Sequence, residues 1–182
     1  MASPSKEEKV LKIILENSPL KEWRFKEVMS EADVSRLVAD KWLKKYVHER
    51  LLKKIDEKGS FPYYTAGKNN PKYYSKKKVY MLKRLEESGL IAELISEKTA
   101  KTIILFGSVA KGDWYKDSDI DLFVFGKLPK FNKKLYEKKI GRTIEVHQFK
   151  NKKEIKEVKT GLINNIVNGY LLKGKIQDII EI

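Results

Sequence analysis

The chain has no cysteine. Disulfides, thiolate metal centres and cysteine nucleophiles are therefore excluded. No apolar run approaches the ~18–20 residues that a membrane span needs. The opening segment "MASPSKEEKV" lacks the apolar core of a secretory signal. No internal repeat or low-complexity tract stands out. Acidic residues are in deficit, with 25 Asp and Glu against 39 Lys and Arg, a net charge of +14 over 182 residues. The excess is spread along the chain: 22 basic against 15 acidic residues over 1–98, and 17 against 10 over 99–182. A phosphate-bearing partner fits this balance. So does a generally basic surface of the kind found in proteins adapted to heat or salt. The expectation from these absences is a soluble, cytoplasmic protein without membrane contact.

The first half reads as three helices and a hairpin. "SKEEKVLKIILENSP" has Ser5 as a cap, acidic residues in its first turn and a stripe of Val10, Leu11, Ile14 and Leu15. "LKEWRFKEVMSEA" follows, with Trp23 and Val28 inward. "DVSRLVADKWLKKYVHERLLKKI" is a third helix, with Val34, Leu37, Val38, Trp42 and Leu43 on one side and Arg36, Lys41, Lys44 and Lys45 largely elsewhere. Turn residues Asp56 to Ser60 between β-favouring segments predict a hairpin over about residues 51–66. This order is that of a winged helix-turn-helix, in which the third helix enters a major groove and the wing rests on the backbone. Arg36, Lys41, Lys44, Lys45 and Lys58 are the candidate nucleic-acid contacts. The aromatic residues Phe61, Tyr63, Tyr64, Tyr73 and Tyr74 either stack on bases or pack the wing against its domain. A strong helical pattern over 75–97, with Ser75 as cap, Val79, Leu82, Leu85, Leu90, Ile91 and Leu94 inward and Gly89 as a kink, predicts a linker helix over 75–98. The domains expected are 1–74, that linker, and 99–182.

From residue 99 strands and helices alternate. "TIILFG" and "DIDLFVFG" read as buried strands, "NKKLYEKKIG" as a helix ended by Gly141, and "RTIEVHQF" as a third strand. One or two helices and a short strand close the chain. The unusual feature is the carboxylate pair in the second strand. Residues i and i+2 of a strand share a face. Asp119 and Asp121 therefore point one way, while Ile120, Leu122 and Val124 point into a core. Burying two like charges without compensation is costly. Either they lie in solvent at a strand end, or a hard divalent cation such as Mg²⁺ holds them. Upstream, strand "IILF" runs into Gly107-Ser108. Backbone N–H groups at such a turn favour phosphate, Ser108 can donate to a phosphate oxygen, and Lys111 adds charge. An anion cradle followed by a metal pair is what transfer of a nucleoside monophosphate from an NTP requires. Glu145, on the face shared by Thr143, His147 and Phe149, is the candidate third carboxylate. His147 could contact a phosphate or the acceptor, but a lone histidine in a strand is more often structural.

"GSVAKGDWYKDSDIDLFV" resembles the signature of the minimal nucleotidyltransferases of the DNA polymerase β superfamily: Gly107, Ser108, Gly112, then Ser118, Asp119 and Asp121. The likeness covers about residues 100–182. It implies a metal-binding, catalytic triad of Asp119, Asp121 and Glu145, with two Mg²⁺ ions. It implies NTP phosphates, ATP favoured, held by Gly107, Ser108, Lys111 and Ser118. It implies an α+β fold whose C-terminal domain is a small mixed sheet flanked by helices. Between the Ser and the second Gly this chain has Val109, Ala110 and Lys111, where many antitoxin-type members carry arginines. The N-terminal half resembles the winged helices of archaeal and bacterial regulators. Three readings stay open: an active enzyme brought to nucleic acid, a DNA-binding transcription regulator with a nucleotide-sensing or relic second domain, and an antitoxin that adds AMP to a HEPN-type toxin. A homodimer is compatible with each.

Overall fold

The structure, a computed structural model, describes residues 3–179. The chain divides into two compact units, Met1–Lys77 and Lys78–Ile182.

In the first unit, α1 (Lys6–Glu16) starts in a capping box. The Ser5 hydroxyl accepts from the Glu8 N–H at 3.2 Å, and the Ser5 N–H donates to the Glu8 carboxylate at 2.8 Å. Its expected stripe is the buried one. After a two-residue strand β1 (Trp23–Arg24) come α2 (Phe25–Ala32) and α3 (Arg36–His48). Next are β2 (Leu52–Ile55) and β3 (Tyr63–Ala66), which pair antiparallel; β1 joins the other edge of β3. The second and third expected helices are shorter than their patterns, because Trp23 and Arg24 pair with the sheet and α3 stops before Arg50, which takes a left-handed φ of 60°. Ala39, Leu43 and Tyr46 form the buried stripe of α3. Leu37, expected inside, is 83% exposed: two residues from Ala39 is a rotation of about 200° around the helix.

The predicted linker helix is two helices, α4 (Pro71–Glu87) and α5 (Leu90–Ser96). Pro71 occupies the first turn, where its fixed φ suits a helix start, and the Asn70 side chain accepts from the Lys72 N–H at 3.0 Å. Ser75 therefore lies inside α4 rather than capping it. Gly89 takes φ 83°, which ends one helix and begins the next, so the bend is a break and not a kink. Met81 and Leu85 are buried while Val79, on the opposite side, is 60% exposed.

The second unit continues with β4 (Ala100–Phe106), α6 (Gly107–Lys111), β5 (Ile120–Gly126), α7 (Lys133–Ile140) and β6 (Ile144–Phe149). It ends with α8 (Lys152–Lys156), α9 (Thr160–Val167), β7 (Tyr170–Lys173) and a 3₁₀ turn at Ile176–Asp178. The sheet order is β6-β5-β4-β7. β5 and β6 are parallel, joined through α7; the other pairs are antiparallel. This mixed sheet with helices is the expected fold type for the C-terminal half. Alternation along β4 and β5 sorts two buried faces. Ile103, Leu105, Leu122 and Val124 face one way and are fully buried. Ile104, Phe106 and Phe123 face the other way and pack with Ile155 of α8, Ile166 of α9 and Ile179. Burying these six side chains contributes about 1.5–3 kcal/mol apiece. The same face carries Asp121 where that packing ends. Among the described residues no helix is long and apolar enough to cross a membrane.

Candidate active site

Three strand ends converge. In the β4–β5 ladder Phe106 lies opposite Asp121, so Gly107 begins α6 beside that carboxylate. In the parallel β5–β6 ladder Asp121 lies opposite Glu145, and Phe123 opposite His147. Parity then puts the side chains of Asp121, Glu145 and His147 on one face.

Gly107 shows how tight the junction is. Its φ is 70°, and a Cβ there would sit 1.9 Å from Asp121 Oδ2 and 2.8 Å from its Cγ. Only glycine leaves room for the carboxylate. One ligand atom each from Asp121, Glu145 and His147 all lie within 4.8 Å of one another. The Glu145 carboxylate approaches His147 Nε2 at 3.6 Å. Asp121 is half-buried, and its carboxyl is pushed above the ordinary value of 3.8. Burial is the main cause; the charges of Glu145 and Asp119 add to it, while His147 and Lys111 oppose it. Two converging carboxylates, one held in a half-buried site against its preference, fit a divalent cation.

Asp119 stands one residue before β5, exposed, close enough for its charge to act on Asp121. Ser108 opens the short α6 and is half-buried; Lys111 at its end is exposed. Gly112 closes α6 with φ 82°, its N–H donating to the Ser108 carbonyl at 2.8 Å. The Ser118 hydroxyl accepts from the Tyr115 N–H at 2.8 Å, so here it closes the turn that delivers Asp119.

Two features escaped the sequence. One is how close His147, expected on the Glu145 face, comes to both carboxylates. The other is Arg142, a buried cation whose guanidinium stacks 4.9 Å from the Trp114 ring centroid. Its Nη1 donates to the Tyr115 carbonyl and, at 3.0 Å, to the Ser118 carbonyl. Trp114 stacks in turn on Tyr80. Nothing in the sequence around Arg142 signals this brace.

The family model described as "Nucleotidyltransferase domain" matches residues 88–180. The chain belongs to the nucleotidyltransferase domain family. Every catalytic and phosphate-binding candidate named above falls inside the matched segment. No curated protein matches the chain. A solved structure described as "Crystal structure of the toxin-antitoxin with AMP-PNP" is 20% identical, covering 56% of this chain and 76% of that one, with a TM-score of 0.34.

The first unit holds the five candidate nucleic-acid contacts. Arg36, Lys41 and Lys58 are exposed. Lys44 pairs with Asp40 at 2.7 Å. Lys45 pairs with Glu7 at 3.0 Å and lies 4.8 Å from the Trp42 ring centroid. Phe61, before β3, is 85% exposed, whereas Tyr64 and Tyr73 are buried. The aromatic group thus splits between packing and surface.

Proposed function

We propose that this nucleotidyltransferase transfers a nucleoside monophosphate from an NTP, ATP by preference, to an acceptor, with Mg²⁺ or a related divalent ion. The observation that carries the reading is the register of Asp121 with Glu145 beneath a glycine that admits the carboxylate. Asp119, Asp121 and Glu145 are the oxygen donors that would hold the metal. When bound, the metal supplies charge neutralisation on the triphosphate and at the attacked phosphorus. Gly107 and Ser108 offer backbone N–H groups and a hydroxyl to the phosphates, and Lys111 adds positive charge to that end. The acceptor oxygen forms a bond to the α-phosphorus as the bond from that phosphorus to the bridging oxygen breaks, and pyrophosphate leaves. The acceptor's proton passes to a carboxylate oxygen of the cluster not engaged by the metal. Arg142 keeps the 115–118 turn fixed, so that Asp119 does not have to be ordered when substrate arrives.

The first unit supports a companion role. Its α3 and its β2–β3 hairpin, with Arg36, Lys41 and Lys58 exposed, suit duplex nucleic acid in the manner of a winged helix. Calorimetric titration of ATP, GTP, CTP and UTP with Mg²⁺ into the wild type and into Asp119→Ala/Asp121→Ala tests the site. Metal-dependent binding lost in the double variant supports the reading; equal binding by both, or by neither, refutes it. Incubation with α-labelled ATP and cell extract then reads the acceptor class, by whether label stays with protein or with nucleic acid.

A further inference from the structure

We propose that His147 completes a two-carboxylate, one-imidazole set with Asp121 and Glu145 that selects Mn²⁺ over Mg²⁺. This rests on the reading of that face as a metal site.

The spacing of the three side chains is close to that of a donor set around one ion. Around an ion with metal–donor distances of about 2.1 Å, neighbouring donors lie about 3 Å apart and opposite donors about 4.2 Å. The three side chains already offer atoms within 4.8 Å of one another, with Nε2 of His147 3.6 Å from Glu145. His147 is also built in. It sits on β6 in register with Phe123, half-buried, with its ring 5.3 Å from that of Phe106. A ring held by a strand and an aromatic neighbour loses less freedom on ligation than one on a loop.

The chemistry of the donors then discriminates between ions. Mg²⁺ is hard, keeps several waters and is served by carboxylates and phosphates. Imidazole suits transition ions, and affinity for a given nitrogen and oxygen site rises from Mn²⁺ along the first row. The imidazole therefore favours a first-row transition ion over Mg²⁺, and Mn²⁺ is the one that shares the Mg²⁺ preference for carboxylate oxygen. Asp119 lies outside this set and remains available to oxygen-only ligation.

Pulsed electron paramagnetic resonance on the wild-type chain loaded with Mn²⁺ reads the ligation directly, through nitrogen coupling from the imidazole. Titrations of Mn²⁺ and Mg²⁺ into wild type, His147→Ala and His147→Gln read the preference. The expected result is nitrogen coupling in the wild type, its loss in both variants, and a tenfold or larger drop in Mn²⁺ affinity with Mg²⁺ affinity changed less than twofold. Bound Mn²⁺ without nitrogen coupling overturns the proposal, as does Mn²⁺ binding unchanged in His147→Ala. The wild-type spectrum decides even where a variant fails to fold. Wild type that binds neither ion, with or without ATP, instead removes the metal-site reading itself.

Discussion

Gly107→Ala isolates the contact on which the site depends. Two costs are separable. A non-glycine residue in the left-handed region costs about 1–2 kcal/mol. The new methyl also meets Asp121, at 1.9 Å from Oδ2 and 2.8 Å from Cγ. No relaxation of a few tenths of an ångström relieves that overlap, so the carboxylate must leave its rotamer, adding about 0.5–1.5 kcal/mol or more. Gly141→Ala is the matched control. Gly141 has φ 74°, and a Cβ there meets nothing within 4 Å. It bears the backbone cost alone. For a unit of this size 1 kcal/mol corresponds to roughly 4–8 °C in Tm. Both variants should therefore lower the melting temperature by several degrees. Divalent-ion and NTP binding should then separate them: a loss of tenfold or more for Gly107→Ala, within twofold of wild type for Gly141→Ala. Calorimetry of Mg²⁺ or Mn²⁺ with ATP on all three proteins, beside thermal melts, is the assay. Wild-type affinity in Gly107→Ala, or an equal loss in Gly141→Ala, would show that the Gly107–Asp121 contact does not govern the site.

Other expectations follow from the same geometry. Because the Asp121 carboxyl is raised above 3.8 in the folded chain, its ionised form is disfavoured by folding. Its contribution to stability is full below about pH 4 and is lost as pH rises through the folded value. In metal-free buffer Asp121→Asn should thus melt higher than wild type at pH 7, with the gap closing toward pH 3.5; a lower melt at pH 7 contradicts this. Arg142→Ala should cost about 2–4 kcal/mol from its charge-assisted bonds to the Tyr115 and Ser118 carbonyls. Arg142→Lys should fold but bind metal-ATP several-fold more weakly, since an ammonium cannot stack flat on Trp114 while reaching both carbonyls; unchanged affinity would deny the brace any part in positioning Asp119. If the first unit binds duplex DNA, Arg36→Ala and Lys58→Ala should each lower the salt slope of binding by about 0.9. Lys45→Ala, already paired with Glu7, should change it less; equal slopes for all three would show that these cations do not touch phosphate.

What the sequence made legible tracks what a single strand or helix can encode. Asp119 precedes β5 and stands outside the cluster of Asp121, Glu145 and His147. The parity that puts Asp121 on one side of β5 and Leu122 and Val124 on the other is local, and the ladder and burial agree with it. So are the capping box at Ser5 and the helix stop at Gly141, each set by the residue's own chemistry within one turn. Helix faces were less secure: Leu37 and Val79 are apolar yet exposed, because an apolar side chain does not say where the rest of the core lies. Gly89 ends one helix where its place in the pattern predicts a kink, since a glycine within a helical pattern can either bend or end it.

The ligand cluster is the harder case, and it shows why. Glu145 and His147 share a face by parity, which is legible; that the shared face meets Asp121, and not a residue two steps along, depends on the register of β6 against β5. Parallel register is set by the crossover through α7 and by Ile144 and Val146 packing beside Ile120 and Leu122, none of which a motif encodes. A slip of two residues would pair Asp121 with His147 or Thr143 and keep every side chain on its proper face. Hydrophobic patterning cannot tell these registers apart. A site that depends on register is therefore open to change by substitution at Ile144 or Val146, far from any ligand in chemistry but not in geometry. Val146→Phe, too large for its half-buried place beside Leu122, should disturb the pairing of Asp121 with Glu145 and weaken Mn²⁺ binding, although it removes no ligand. Wild-type Mn²⁺ affinity in that variant, in a chain that still folds, would mean that the cluster is held by something other than the β5–β6 ladder.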